Sequence, residues 1–486
     1  MKHVLAVLTA LLLIPAHAMA GDEPVTMDDM VVTATRSEES AKTLPAKIEV
    51  LDSQDIALTV GDTLTEQLKK NASIGVIEYP GALAGIGIRG FRPEFSGITK
   101  HSLILIDGRP AGATNLATLL TDQIERIEVL KGPASSLYGA EAMGGVVNII
   151  TKKSSGPLSG SVEAGVGSFK TNFQKVTMGG GITDRLDFDI SARRYEQADD
   201  LERGNGEERA NTSYSTRNAD MRVGMDLGDN WRMDLGGEAY QGRDIETPGD
   251  TFDGDSKPGQ KDLDRWGVDF NIGGKVGTAN QLDFTLYATE EKQESYKRYN
   301  GGSLTAPYRS YDSDTSWLGF QAKDTFTKGM YKLIVGLDYQ DIEKVSRSYN
   351  TDGSRKAPYS PDEDRKNLAG YVENVFKLMD DRLTFTVGGR YDTFKIATVD
   401  TPYKTNFTPN EEDFNAFSPR AGANYLFDTG IRLHATAGKA FVPPSAWQLA
   451  GYSQASNGNI TKGNPNLDPE SSVTLDGGIG YSKSDL

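Results

Sequence analysis

Residues 186–193 read LDFDISAR and alternate strictly between apolar and polar side chains. This period of two predicts a β-strand with one apolar and one polar face. The same alternation continues in segments that begin at Trp231, Leu282, Tyr331 and Leu383. Such strands fit a membrane β-barrel, apolar toward lipid and polar toward the lumen, although a soluble β-sandwich can alternate similarly.

Short turn signals separate pairs of these predicted strands. They lie at Thr183, Gly228, Ala279, Gly329, Asp380 and Gly430. The connections between them, such as 242–262 and 290–314, are longer and polar. Short turns at one end and long loops at the other are typical of outer-membrane barrels. We therefore expect the long connections to face outward as loops.

Strand number limits what such a barrel can contain. We expect about fourteen strands before Tyr481, whereas a lumen that holds a domain needs roughly 22 strands. The last five residues, 482–486, fall where a turn is expected. We therefore predict that the chain is truncated at its C-terminal end.

The first twenty residues have the pattern of a secretory signal. Lys2 precedes an apolar run over 4–14, and the segment ends with Ala18, Met19 and Ala20. A basic start, a short apolar core and an A-x-A site predict cleavage before Gly21. About eleven apolar residues cannot cross a bilayer that needs roughly twenty. We expect the protein to leave the cytoplasm without a helical anchor.

Composition excludes several classes of function. The 486 residues include 52 Lys and Arg against 68 Asp and Glu, a net charge of −16 that argues against nucleic acid as a partner. The chain has no cysteine, which removes disulfide scaffolds and thiol catalysis. Two of its four histidines lie in the leader, leaving His101 and His434. We find no nucleophile–histidine constellation and expect no enzymatic activity.

Residues 28–155 read as a compact mixed α+β domain. Short apolar strands are predicted at 47–51, 102–106, 127–130 and 146–150, with a helix at 63–70 capped by Asp62. The change to period-two strands predicts a domain boundary at 155/156. With the leader, this gives a signal peptide at 1–20, a tail at 21–40, a first domain at 41–155 and a barrel at 156–486.

Several sequence blocks occur in a characteristic order. They are DMVVTA at 29–34, IRGF at 88–91, LIDGR at 105–109, IERIEVLKGP at 124–133, GGVVNII at 144–150, GKAFVPP at 438–444 and GNPNLDPE at 463–470. Together they resemble the signatures of TonB-dependent outer-membrane receptors, among them ferric siderophore, colicin I and vitamin B12 receptors. The resemblance implies a transmembrane β-barrel of 22 strands whose lumen holds an N-terminal α+β plug domain. The family's closing aromatic residue is absent at Leu486, which agrees with truncation.

The resemblance also implies a function and partners. A receptor of this kind binds a ferric siderophore outside the cell and carries it across the outer membrane with energy from TonB of the inner membrane. The Fe(III) would belong to the ligand, and no cofactor of the protein is expected. Outer-membrane lipid and lipopolysaccharide would surround the barrel, and use by colicins or phages is left open.

The block at 29–34 resembles the family's TonB box. It consists of Asp29, Met30, Val31, Val32, Thr33 and Ala34. A β-prone run in a mobile polar tail can add as a strand to the open sheet edge of a partner. The alternative is an ordinary first strand of the plug.

Candidate ligand-binding residues follow from the family's three apical plug loops and one barrel loop. They are Tyr79, Arg92, Glu94, Phe95, Ser96, Thr114, Asn115, Tyr296, Arg298, Tyr299, Arg309 and Tyr311. Interleaved aromatic and cationic side chains suit an anionic ligand with rings, such as a ferric catecholate. The alternative is that these residues form an interfacial girdle and a solvated loop.

Two further sets of charged residues carry predictions of their own. Arg89, Glu125, Arg126 and Glu128 are expected to pair with charges on the luminal barrel wall, unless they are simply solvated. Asp250, Asp253, Asp255 and Asp262 could bind Ca²⁺, which prefers several oxygen ligands, or could form a solvated loop.

Other functions remain open at this stage. A cobalamin receptor shares the architecture, and His101 near the second apical loop keeps a haem receptor in consideration. A haem receptor would be expected to offer a histidine within 441–464, which has none. A passive porin is the alternative from a different class, and the plug and TonB box count against it.

Overall fold

The computed structural model describes residues 31–33, 35–59, 63–79, 81–119, 121–248, 258–300, 303–454 and 458–481. The predicted signal peptide, 1–20, lies outside these residues, as do Asp29, Met30 and Ala34 of the TonB box. Three of the four aspartates considered for Ca²⁺ also lie outside them: Asp250, Asp253 and Asp255.

The N-terminal domain is built around a mixed sheet. Its strands are β1 (Val31–Val32), β2 (Glu39–Ser40), β3 (Lys47–Leu51), β4 (Gly75–Tyr79), β5 (Leu83–Gly87), β6 (Ser102–Ile106), β7 (Arg109–Pro110), β8 (Ile124–Lys131) and β9 (Gly145–Thr151). The central sheet has the order β3-β8-β9-β6-β7, in which β6 and β9 are parallel. The strands predicted at 47–51 and 102–106 are confirmed with the same bounds.

Short helices pack on this sheet. They are α1 (Ser53–Ala57), α2 (Leu64–Asn71), α3 (Ser135–Tyr138) and a 3-10 helix (Leu116–Thr118). Leu64 and Leu68 of α2 are buried in the same apolar core as Val129 and Val147 of the sheet. The side chain that caps α2 is Thr63, whose Oγ1 accepts from the N–H of Glu66 (3.3 Å).

A second, much larger sheet follows from residue 159. Its elements and those of its connections are β10 (Ser159–Gly167), β11 (Thr171–Thr183), β12 (Leu186–Gln197), β13 (Leu201–Glu202), β14 (Glu208–Arg209), β15 (Tyr214–Asp226), β16 (Trp231–Thr247), β17 (Gly259–Val276), β18 (Asn280–Asn300), β19 (Ser303–Lys328), β20 (Tyr331–Tyr349), β21 (Arg355–Lys356), β22 (Asp362–Leu378), β23 (Leu383–Val399), β24 (Asn410–Leu426), β25 (Ile431–Val442), α4 (Ala446–Ala450), β26 (Tyr452–Gln454), β27 (Ile460–Lys462) and β28 (Glu470–Tyr481). Within the described residues, fourteen of these strands form one antiparallel path from β10 to β28 in chain order. That number agrees with the prediction from the sequence.

The predicted alternation of faces is present in the long strands. In β18, Leu286 is 50% exposed, whereas the neighbouring Tyr287 is 2% exposed and faces the plug side. Apolar side chains such as Val268, Leu318 and Val387 are likewise exposed on the outer face. Five of the six predicted turn positions lie between consecutive long strands, and the sixth, Thr183, is the last residue of β11. In the part of the chain that the structure describes, no helix is long and apolar enough to cross a membrane.

The connection 290–314 is not a loop. Strands β18 and β19 continue through it as a hairpin, and β19 alone has 26 residues. At about 3.3 Å per residue, such a strand measures roughly 86 Å, far more than the apolar band of about 25 Å on a membrane barrel. The hairpin therefore extends well beyond the lipid.

The plug lies against the inner face of the curved large sheet. Its Asp122 is 3.3 Å from Lys175 of β11, and its Arg89 pairs with Asp476 of β28. The plug thus contacts strands near both ends of the path. It occupies the luminal side that the resemblance implies.

Candidate functional site

The described part of the predicted TonB box is docked on the plug. Val31 and Val32 pair with β2, and Val32 has no exposed surface. Thr33 donates its N–H to Glu128 Oε2 (2.9 Å), and Asn148 Nδ2 donates to Thr33 Oγ1 (3.2 Å). In this arrangement the three residues take the alternative place considered from the sequence, a first strand of the plug. A partner strand could pair with them only after they leave this site.

Arg36 binds the same segment to the barrel wall. Its guanidinium donates to both carboxylate oxygens of Asp338 in β20 (2.7 and 3.0 Å) and to the hydroxyl of Tyr371 (3.0 Å). It lies between the rings of Tyr138 and Tyr371, 4.6 and 4.4 Å from their centroids. Burial alone would lower the pKa of Arg36, but Asp338 together with Tyr371 and Tyr138 outweighs this and holds that pKa above its usual value. Sequence reasoning missed this contact.

Many barrel side chains hold the plug by its main-chain carbonyls. The donor and acceptor pairs are Lys323 to Arg36 (2.9 Å), Lys332 to Glu38 (3.1 Å), Asn424 to Lys42 (3.1 Å), Arg432 to Leu44 and to Ala46 (2.8 Å), Thr436 to Pro45, Arg265 to Ala111 (2.6 Å) and Arg390 to Leu137 (3.3 Å). The plug–barrel contact is therefore largely polar. Charged side chains of the barrel supply most of these donors.

Of the four residues predicted to form plug–barrel ion pairs, the structure places one in such a pair. Arg89 pairs with Asp476 of β28. Arg126 instead pairs inside the plug, with Glu125 (2.8 Å) and Glu128 (2.9 Å). The prediction for Glu125, Arg126 and Glu128 is therefore corrected, because Arg126 lies close enough along its own strand to bind both carboxylates.

Two plug residues that the sequence did not single out also form ion pairs with the barrel. Arg109 reaches Asp269 of β17 (2.9 Å), and Glu39 reaches Lys332 of β20 (2.5 Å). Their partners lie far away in the chain and approach only through the curvature of the sheet. No local sequence signal identifies them.

The first and second apical loops differ in exposure. Tyr79 packs on an apolar cluster that includes Tyr240 and Leu263, and the Arg209 guanidinium lies 5.8 Å from its ring centroid. Arg92 and Ser96 are exposed, and Phe95 is half-buried. Arg92 and Ser96 are therefore accessible on the plug surface, and their contact with a ligand stays a prediction.

Glu94 of the second loop is bound to His101. It accepts from the main-chain N–H of His101 (2.6 Å) and lies 2.8 Å from its Nδ1. The other ring nitrogen, Nε2, is 3.0 Å from Glu470 at the start of β28, and the ring stacks on Phe91. Hydrogen bonding to Glu94 raises the pKa of His101 to about 9. Both ring nitrogens are therefore occupied by carboxylates, and haem iron could bind His101 only by displacing one.

The third apical loop is buried against the barrel. Thr114 and Asn115 both donate their N–H groups to Glu291 of β18 (3.1 and 3.4 Å). The Asn115 side chain accepts from Ala84 N (2.9 Å) and donates to Ala82 O (3.0 Å), so it also holds the first loop. These contacts give both residues an internal role, and their contact with a ligand stays a prediction.

The predicted barrel residues all lie in the β18–β19 hairpin. Tyr296 donates to Glu294 (2.5 Å), Arg309 donates to the same carboxylate (2.9 Å) and the Tyr311 hydroxyl lies 3.2 Å from Ser346 Oγ. Arg298 is 3.7 Å from Glu246, and the main chain of Tyr299 pairs with Leu304. The structure thus places these five residues on paired strands instead of a loop.

An alternating ladder of arginine and tyrosine extends from the hairpin, and sequence reasoning missed most of it. Tyr349 lies between Arg309 and Arg355, at 4.7 and 5.4 Å from ring centroid to guanidinium. Arg355 also lies 5.5 Å from the ring of Tyr403, which is 60% exposed. Its members come from β19, β20, β21 and the connection between β23 and β24, so they come together only after the strands pair. The exposed end of the ladder can meet an anionic ring system by stacking and by charge.

A cavity of about 880 Å³ separates the plug from β16–β19 beside the docked N-terminal segment. Its lining includes Thr33, Arg36, Asp107, Arg232, Asp283 and Lys323. Such a lining is polar and carries both signs of charge. It offers a polar space along the barrel wall, next to the segment that a partner would have to release.

The Ca²⁺ prediction gains no support from the one aspartate that the structure describes. Asp262 accepts from the N–H of Asp244 (3.0 Å). Among the described residues, no group of three or more acidic or histidine side chains is arranged to hold a metal ion.

Comparison with known proteins matches both halves of the chain to one family. The family model "TonB dependent receptor-like, beta-barrel" matches residues 181–486, and "TonB-dependent Receptor Plug Domain" matches residues 40–146. The vitamin B12 transporter BtuB of Photobacterium profundum is 26% identical over 489 residues, which cover 97% of this chain and 70% of BtuB. The iron-regulated outer membrane virulence protein of Vibrio cholerae serotype O1 is 26% identical over 497 residues, covering 97% of this chain and 68% of that protein.

A solved structure shares the fold. The ferripyoverdine receptor of the outer membrane of Pseudomonas aeruginosa, bound to ferripyoverdine, superposes with a TM-score of 0.73 and 17% identity. The match covers 95% of this chain and 65% of that receptor. At this identity the likeness concerns the architecture of plug and barrel.

Proposed function

Because the chain belongs to the TonB-dependent receptors, whose β-barrels lie in the outer membrane, we propose that it binds a ferric siderophore outside the cell and carries it inward with energy from TonB. The observation that carries this proposal is the docked N-terminal strand. Val31–Thr33 are β-prone, lie at the end of the plug and are held there by hydrogen bonds that can exchange for those of a partner strand. Once released, they can pair with a partner's sheet edge.

Pulling on this strand acts on the plug through Arg36. Asp338 keeps Arg390 as a second partner, so the barrel wall retains a paired carboxylate when Arg36 leaves. The contact can therefore open without leaving a buried charge alone on the barrel, which would be costly. The polar cavity of about 880 Å³ beside it would then widen along β16–β19.

The proposed ligand is anionic and contains rings, as a ferric catecholate does. The ladder of Arg309, Tyr349, Arg355 and Tyr403 supports this choice, because arginine binds anions while stacking on aromatic rings. The bonds of both His101 ring nitrogens to carboxylates make haem the less favoured ligand. TonB as the energising partner follows from the family.

Cobalamin is the second candidate. It is supported by the similarity to proteins named vitamin B12 transporter BtuB. The ligand does not follow from that similarity, since the same comparison also finds an iron-regulated outer membrane protein.

We also propose a division of the chain into four segments. They are a signal peptide at 1–20, a periplasmic tail at 21–40, a plug at 41–155 and a barrel at 156–486.

The test is a titration of the folded chain in detergent, followed by tryptophan fluorescence. Ferric tris-catecholate, cobalamin and haem are added in parallel. We expect saturation by the ferric catecholate alone, and about tenfold weaker binding in Arg355→Gln, because one cationic contact of the ladder is lost. Lys170→Gln, which removes an exposed cation from a different turn, should bind like the parent.

Two results would overturn parts of this proposal. Saturation by cobalamin or haem instead would keep the receptor and replace the substrate. An absence of saturable binding with every ligand would favour a passive porin.

A further inference from the structure

Two consecutive peptide groups of the third apical loop lie between buried opposite charges. Lys100 Nζ donates to the carbonyl oxygens of Ala113 (3.0 Å) and Thr114 (2.9 Å). The N–H groups of the same two peptide units, on Thr114 and Asn115, donate to Glu291 Oε2 (3.1 and 3.4 Å). Each peptide group therefore connects an ammonium on its oxygen side with a carboxylate on its nitrogen side.

Both charges are withdrawn from water. Lys100 is 7% exposed and Glu291 is 4% exposed. Glu291 also accepts from the hydroxyls of Thr114 and, at 3.4 Å, Thr118. A buried charge is costly unless it is fully hydrogen bonded, so these donors explain how the carboxylate is tolerated. Hydrogen bonds to ionised groups are the stronger class, and peptide groups polarised from both ends strengthen them further.

The three apical loops of the plug meet at this point. The third loop supplies the two peptide groups, and the Asn115 side chain binds Ala82, which follows the first loop, and Ala84 of β5. Lys100 lies directly before His101, which binds Glu94 of the second loop. The loop also approaches the barrel closely at Gly112 (φ +60), where a Cβ would come within 2.8 Å of Thr289 in β18.

Glu291 belongs to the strand that carries the proposed ligand residues. It lies in β18, five residues before Tyr296, in the strand that continues into the hairpin. A displacement of the hairpin is therefore transmitted through the Glu291 carboxylate to the place where the three apical loops meet.

We propose that Lys100 and Glu291 are positioning residues that clamp the third apical loop between them and so couple the β18–β19 hairpin to the plug. This proposal rests on the proposed function, because it takes the hairpin as a ligand-contacting element. Neither residue needs to touch the ligand. Their role is to keep the three loops in register with the hairpin, so that binding at the hairpin shifts the plug.

The first test is independent of any ligand. Hydrogen exchange of the amides in 111–119 is measured in the full chain folded in detergent, for Glu291→Gln, Lys100→Met and the double variant. We expect each single variant to lose about tenfold in protection, as for a lost hydrogen bond to a charged group. In the double variant, the fold-loss of protection should be smaller than the product of the two single fold-losses, since both residues act on the same peptide groups.

Glu290→Gln is the matched control. Glu290 is the neighbouring residue in β18, faces the outer side and accepts from Trp266 Nε1 (2.8 Å). It should leave the exchange of 111–119 unchanged. Protection that stays at the parental level in Glu291→Gln, or falls equally in Glu290→Gln, would overturn the clamp.

The second test asks whether the clamp transmits a signal. Since the chain has no cysteine, Val31→Cys provides a single thiol whose labelling rate reports release of the N-terminal strand. The labelling rate is compared with and without saturating ferric tris-catecholate, so that differences in ligand affinity between variants do not affect the comparison. We expect the ligand-induced change to fall at least about fivefold in Glu291→Gln and to persist in Glu290→Gln.

The two tests separate the two proposals. A ligand response that persists in Glu291→Gln would overturn the coupling role and leave the proposed function standing. A parent chain that responds to no ligand would count against the proposed function, while the exchange experiment still decides on the clamp.

Discussion

Arg36 joins the N-terminal segment to the barrel through one side chain. We expect Arg36→Ala to release residues 31–33 without ligand, because it removes a buried ion pair and two ring contacts. Loss of roughly 3 kcal/mol would raise the labelling rate of a cysteine at position 31 by about a hundredfold. The barrel should stay folded, since Asp338 still pairs with Arg390.

A neighbouring cation serves as the control for that prediction. Lys47 is exposed and lies 3.6 Å from Glu49 within the plug. Lys47→Ala should leave the labelling rate at position 31 unchanged. An equal rise of the labelling rate in both variants would mean that the plug has loosened generally and that Arg36 does not specifically hold residues 31–33.

His101 gives the plug–barrel contact a pH dependence. Its pKa is raised from 6.5 to about 9 by Glu94 and then by Glu470, so its protonated form stabilises the folded state. That contribution is fully present below pH 6.5 and is lost as the pH rises through about 9. We expect the difference in Tm between the parent and His101→Gln to shrink over this window. A difference that does not vary with pH would show that His101 acts by packing on Phe91 alone.

The sequence indicated charged plug residues but not their partners. Arg126 lies one and two residues from its carboxylates in β8, so its pairing is local. Arg36 and Arg109 have partners more than a hundred residues away, in strands whose register depends on the whole sheet. A single sequence contains the residue types of such a contact but not the distances.

Among the strands, β1 is the one that we expect to pair with the energising partner. Val31→Pro removes a backbone N–H and cannot complete the ladder of a partner's sheet. We expect energised uptake to be abolished and ligand binding to be retained. Uptake by cells and ligand binding to purified protein measure the two effects separately. Glu38→Ala, an exposed change beyond the strand, should preserve both, and undiminished uptake in Val31→Pro would contradict the prediction.

Short turns were predictable and long connections were not, for a physical reason. Tight turns depend on a few local residues, and five of the six predicted positions lie between strands in the structure, while Thr183 ends β11. The connection 303–316 reads SLTAPYRSYDSDTS, which is polar on both faces because it lies outside the lipid. The period-two signal disappears there although the strand continues. Hydrophobic alternation therefore marks the membrane-facing part of a strand and not its end.

For the whole molecule, the architecture followed from the sequence, whereas the ligand site did not. Alternation and turn spacing predicted the large antiparallel sheet, and the motifs at 88–150 predicted the plug. The ladder of Arg355 and Tyr403 was missed because its members occupy separate connections with no shared motif. Local patterns determine elements, and the site arises where distant elements meet.

The plug should loosen before the barrel does. Its contact with the wall consists mainly of hydrogen bonds and ion pairs, which contribute little net stability once desolvation is counted. The barrel strands are joined by continuous ladders. We expect a cysteine at the buried Ala142 to become reactive at a lower urea concentration than the loss of the β-sheet circular dichroism signal. Coincident transitions would mean that plug and barrel unfold as one cooperative unit.

The main-chain carbonyls that hold the plug have an evolutionary consequence. A barrel that binds Leu44, Ala46 and Ala111 through their backbone oxygens does not recognise the side chains at those positions. A change of side chain there leaves the backbone acceptor in place, whereas a change of Arg432 or Arg265 removes the donor. Plugs of diverged sequence but the same backbone course should therefore fit this barrel, so recombination could exchange plugs between family members and create new pairings.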